Sequence, residues 1–138
     1  MEPTLAFISY DFNLSEEDRA RFVDEIGTCS HAFRVEDWSS ERRFPRADWV
    51  KTVHSKIGRC DFMIVLVAKG MNLEAVADEI AEARRCNVPF FGVYVGKAKP
   101  GIALPEGLGA NRTIPYDWDR IAAAVAQVSH EGKHHVFR

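Results

Sequence analysis

Short apolar runs alternate with amphipathic stretches from one end of the chain to the other. Residues 5–10 are apolar and end in polar groups at Asp11-Phe12-Asn13, which predicts a strand running into a loop. Ser15 followed by Glu16, Glu17 and Asp18 predicts a helix start, with acids where the helix dipole favours them. Phe22, Val23 and Ile26 give that helix an apolar face, and Gly27 is a natural stop. A shorter strand is expected over 32–35. A polar, basic loop follows over 37–46, containing Trp38 and Pro45. Asp48 is placed to cap the next helix, whose Val50, Val53 and Ile57 share one face. The run Phe62-Met63-Ile64-Val65-Leu66-Val67-Ala68 is apolar without alternation, the pattern of a parallel strand covered on both faces. Residues 72–86 read as a helix ended by Asn87-Val88-Pro89, and 89–95 as a fourth strand. A long Gly- and Pro-bearing loop spans 96–112, with a short edge strand at 113–115. Asp117 or Trp118 opens the last helix, with Ile121, Ala122, Val125 and Val128 inward.

Five strands interleaved with helices predict an α/β three-layer sandwich. Right-handed crossovers favour the flavodoxin-like parallel order 2-1-3-4-5. One domain over 1–130 with a tail over 131–138 accounts for the whole sequence of 138 residues.

Composition narrows the function classes. The net charge of −2 offers no basic footprint for nucleic acid or anionic membrane. Cys29, Cys60 and Cys86 are widely spaced and form no disulfide framework or metal-ligand spacing, so no metal is expected. No stretch is long and apolar enough to cross a bilayer, and no signal peptide is read, so a soluble, cytoplasmic protein is expected. A G-x-G-x-x-G after the first strand, a complete phosphate loop and a receiver aspartate after the third strand are all missing from the sequence.

The helix over 72–86 carries more. Leu73, Val76, Ala77, Ile80, Ala83 and Arg84 form one stripe, Asp78 points away into water, and Glu79 lies on the stripe's border. Glu79 is therefore either a solvated glutamate beside Glu82 or a partly desolvated carboxylate facing a cleft at the strand ends. In the loop after strand two, Trp38 and Phe44 have the chemistry to stack a planar ring, and Asp37 and Ser39 to bind sugar hydroxyls. The same pattern equally describes a loop pinned by a half-buried tryptophan.

The segment Leu5-Ala6-Phe7-Ile8-Ser9-Tyr10-Asp11 resembles the opening box of TIR domains. Phe33 to Ser39, Ile57 to Val67, Val76 to Ala83, Val88 to Val93, and Leu104-Pro105 with Tyr116-Asp117-Trp118 follow in the same order. Over nearly its whole length the chain is similar to the bacterial TIR-like family that includes the Thoeris antiphage sensors. The resemblance implies cleavage of NAD, as substrate and not cofactor, at the nicotinamide–ribose bond. The product would be ADP-ribose or a cyclic ADP-ribose-type signal for a downstream effector. It further implies a phage-derived trigger, self-association to complete the pocket, and Glu79 as the catalytic group. Ser9, Asp11 and Phe12 would line the floor, with Asp37, Trp38, Ser39 and the loop aromatic Phe44 on a second wall. One position departs from the family pattern. Many active members carry an aromatic four residues before the glutamate, where this chain has Ala75. Either a loop aromatic, Trp38 or Phe44, replaces it, or the chain is a non-catalytic TIR-like interaction module. A nucleoside N-glycosyl transferase, which also sets a glutamate against ribose, is a third expectation.

Overall fold

A computed structural model describes residues 4–40 and 45–131. The strands are β1 (Leu5–Ser9), β2 (Arg34–Trp38), β3 (Phe62–Val67), β4 (Phe90–Tyr94) and β5 (Thr113–Ile114). The helices are α1 (Glu16–Glu25), α2 (Arg46–Gly58), α3 (Leu73–Arg85) and α4 (Trp118–Glu131). All strand pairs are parallel, in the order β2-β1-β3-β4-β5, so the fold is the flavodoxin-like sandwich expected from the sequence. The tail expected beyond α4 lies outside the described residues, apart from Glu131, which closes that helix. Among the described residues no helix is long and apolar enough to cross a membrane.

Burial explains the layering. All six residues of β3 and all five of β4 are buried, as strands covered by helices on both faces must be. Helices α2 and α3 pack side by side on one face. On the other, Phe22 of α1 meets Trp118 at the start of α4, their rings 5.0 Å apart. Glu25 of α1 accepts hydrogen bonds from Tyr116 and from Trp118 Nε1, tying α1 to the segment that opens α4.

Several boundaries differ from the sequence reading. Strand β2 covers Arg34–Trp38 and not 32–35, because it is an edge strand whose residues are only exposed or half-buried and give no apolar run to read. Asp37 and Trp38 are thus strand residues. Helix α1 follows Ser15, but the Ser15 hydroxyl makes no capping bond. Gly27 lies within a short 3-10 turn over Ile26–Thr28 that prolongs the helix. Helix α2 opens at Arg46 after Pro45, which leaves Asp48 inside its first turn. Its buried residues are Trp49, Val53 and Ile57, spaced i, i+4 and i+8, with Val50 at the flank. Asp78 does not face open water but pairs with Arg46 of α2.

Gly107 fixes the long loop against α3. Its φ is +94°, and a Cβ there would stand 2.8 Å from Ile80 Cγ2. Backbone strain and overpacking therefore act together, and Gly107→Ala is expected to lose about 3 kcal/mol of stability. Urea unfolding measures this; an unchanged midpoint would mean the loop is not seated on α3.

Candidate functional site

Three chain segments deliver polar groups to one point above the carboxyl ends of β1 and β2. Ser9 is the last residue of β1, Ser39 directly follows β2, and Glu79 sits in the second turn of α3. Ser9 Oγ donates to Glu79 Oε1 at 2.7 Å, and Ser39 Oγ donates to the same oxygen at 2.6 Å. The Ser39 hydroxyl in turn accepts the Tyr10 backbone N–H at 3.0 Å. That bond holds the chain where it leaves β1, so the serine is fixed at both of its roles. Glu79 Oε2 is buried and accepts no hydrogen bond from the described residues.

Glu79 is 2 % exposed, well beyond the partial desolvation its place on the stripe suggested. Burial disfavours its charged form and pushes the carboxyl up from 4.5 to about 7. The two serine hydroxyls act the other way, as does the positive charge of Lys56. The outcome is a carboxyl that changes charge near neutral pH, which suits a group asked to meet a developing positive charge.

A small cleft opens beside it. Its walls include Tyr10, Asp11, Phe12, Ser39, Trp49 and Ala75, and its volume is about 40 Å³. Asp11 closes one side: its Oδ2 accepts the Asn72 N–H at 2.7 Å, and its Oδ1 the Asn13 N–H at 3.0 Å. The β1–α1 turn is thereby clasped to the start of α3. Asn72 caps that helix by accepting from Ala75 N. A larger groove of about 860 Å³ runs along the flank of α3 beside Leu104 and Gly107. It lacks Glu79, so size and chemistry lie in different places.

Of the residues anticipated from sequence, Ser9, Ser39, Asp11, Phe12 and Glu79 come together here. Asp37 and Trp38 do not. Successive strand residues face opposite sides of the sheet, so Asp37 turns toward the end of α2 and Trp38 toward α1, and neither lines the cleft. The Asp37 carboxylate lies 3.9 Å from Lys56 Nζ and 3.7 Å from an Arg59 nitrogen. The Trp38 ring lies under the Arg19 guanidinium of α1, 4.4 Å from its centroid. Phe44 lies outside the described residues. Trp49 is a residue the sequence reading did not single out, although its i, i+4, i+8 spacing with Val53 and Ile57 carries the signal. Among the described residues no three His, Cys, Asp or Glu side chains are grouped to hold a metal.

No protein-family model and no curated protein matches this chain. Among solved structures it is similar to a 3-dehydroquinate dehydratase-like protein from Bifidobacterium longum. The two are 18% identical, with a TM-score of 0.47, over 92% of this chain and 96% of that one. Nothing about activity passes to this chain at that level of likeness.

Proposed function

We propose that the protein is a TIR-like, NAD-consuming enzyme of bacterial antiphage defence that breaks the nicotinamide–ribose bond with Glu79. The observation that carries the reading is a buried carboxylate at the β1 and β2 ends, with one oxygen held by two hydroxyls and the other without a donor among the described residues. Loss of nicotinamide leaves an oxocarbenium-like ribose, and a fixed, desolvated carboxylate stabilises that charge strongly. Ser9 and Ser39 orient the carboxylate and help keep it ionised. Nicotinamide departs as a neutral ring, so no acid is required for it. Among the described residues the aromatic groups that line the cleft with Glu79 and Ala75 are Tyr10, Phe12 and Trp49, and not Trp38. The product is ADP-ribose or a cyclic ADP-ribose-type signal, read by an effector in the cytoplasm.

A cleft of about 40 Å³ admits little more than a water molecule, whereas small-molecule sites are usually about 300–1,000 Å³. A dinucleotide thus requires the walls of this cleft to move apart, which supports a triggered enzyme, completed by self-association, over a constitutively active one. The same closure and Ala75 favour a second reading, a non-catalytic interaction module. Incubation of the protein with NAD, with and without lysate of phage-infected cells, separates the two. Chromatography should show nicotinamide together with an adenine-bearing product. Absence of nicotinamide under both conditions would leave the interaction module.

A further inference from the structure

The opposite end of α3 carries a second cluster that the proposed reaction does not use. Cys86 follows the last residue of α3 and is half-buried. Its Sγ lies 3.5 Å from His54 Nδ1 and 3.9 Å from His54 Nε2, across the seam between α3 and α2. His54 Nδ1 is 2.8 Å from Glu82 Oε2. The Glu82 side chain is only 4% exposed and is also paired with Arg85, whereas that of His54 is 53% exposed. Gly58, one turn after His54, leaves room at the thiol: a Cβ there would approach Cys86 Sγ to 3.8 Å.

We infer that Cys86, His54 and Glu82 form a histidine-assisted thiol site that is modified by hydroperoxides. Glu82 accepts the Nδ1–H of His54, which fixes the tautomer and leaves Nε2 as the basic nitrogen, while the sulfur, 3.5 and 3.9 Å from the two nitrogens, lies against the face of the ring. Solvent at the exposed edge of the ring carries the Cys86 proton to His54 Nε2, the imidazolium stabilises the thiolate across its face, and the thiolate attacks one peroxide oxygen. The S–O bond forms as the O–O bond breaks, and the departing hydroxide or alkoxide takes the proton back from His54. The thiol is oxidised to a sulfenic acid while the peroxide is reduced to water or an alcohol. The C-terminal dipole of α3 opposes the thiolate, but the imidazolium stands closer and is held by a buried carboxylate.

The other two thiols provide an internal comparison. Cys60 is fully buried, and burial with the nearby Glu36, Asp37 and Asp61 pushes it up to about 12. Cys29 is half-buried and donates to the His31 carbonyl at 3.2 Å. Neither contact supplies a base.

The test exposes the full chain to hydrogen peroxide with dimedone present and follows each cysteine by mass spectrometry. Cys86 is expected to be trapped at least about tenfold faster than Cys29 or Cys60. His54→Gln and His54→Asn, at a half-exposed position that tolerates change, should each slow it by about tenfold. Glu82→Gln, which keeps an acceptor but removes the charge, should slow it by a smaller factor. Trapping of Cys86 no faster than Cys29, or rates indifferent to both His54 variants, would overturn the assignment. The readout involves no NAD and stands apart from the proposed catalytic function.

Discussion

Glu79→Gln is expected to abolish nicotinamide release while making the protein more stable at alkaline pH. The activity loss should be about 10³-fold, the scale on which a preorganised electrostatic stabiliser acts. The stability change follows from linkage. The folded carboxyl titrates at about 7 and its ordinary value is 4.5, so folding takes up a proton between those two values. The favourable contribution is complete below pH 4.5 and is lost as pH rises through about 7. For Glu79 that loss amounts to about 3 kcal/mol, and glutamine, which does not ionise, escapes it. Urea unfolding of both proteins near pH 4.5 and near pH 8 should therefore show the difference between them moving by about that amount in favour of the variant. A difference independent of pH would mean that Glu79 does not titrate in this range. The same ionisation sets the rate: nicotinamide release by the wild-type protein should rise between about pH 6 and pH 8 as the carboxylate forms.

Removing the serines should act in the opposite sense. Each hydroxyl favours the charged carboxylate, so its loss raises the Glu79 carboxyl further and deepens the alkaline destabilisation. Near pH 8, Ser9→Ala should lose about 2 kcal/mol, the scale of a charge-assisted hydrogen bond. Near pH 5 the carboxyl is neutral and the loss should shrink to about 1 kcal/mol. Ser39→Ala should lose more, about 3 kcal/mol near pH 8, because the buried Tyr10 N–H is orphaned as well. Paired unfolding curves at the two pH values check both. Equal losses at acid and alkaline pH would mean that the hydroxyls hold a neutral carboxyl throughout.

How far the sequence disclosed this arrangement depends on where each residue finds its partners. Strand β3 is legible because a short, continuous apolar run with β-branched residues and no alternation fits an interior parallel strand. Strand β2 was displaced because an edge strand alternates between exposed and half-buried positions and shows no run. That displacement carried Asp37 and Trp38 into a supposed loop and onto a wall they do not occupy. Trp49 shares its spacing with Val53 and Ile57, so periodicity marks it as buried, but only the tertiary approach of β1 and α3 makes it a wall of the cleft. Glu79 was readable only as a borderline position. Its full burial depends on Ser9 and Ser39, 70 and 40 residues distant, and helical periodicity contains no term for such contacts.

The place of β1 in the sheet bears on how the protein is made. Strand β1 is synthesised well before β3, yet it lies between β2 and β3. Until Phe62–Val67 have been translated, one side of an apolar strand has no hydrogen-bonding neighbour. The growing polypeptide therefore carries an adhesive edge through a large part of its own translation. Slowing elongation before β3 should therefore lower the soluble yield.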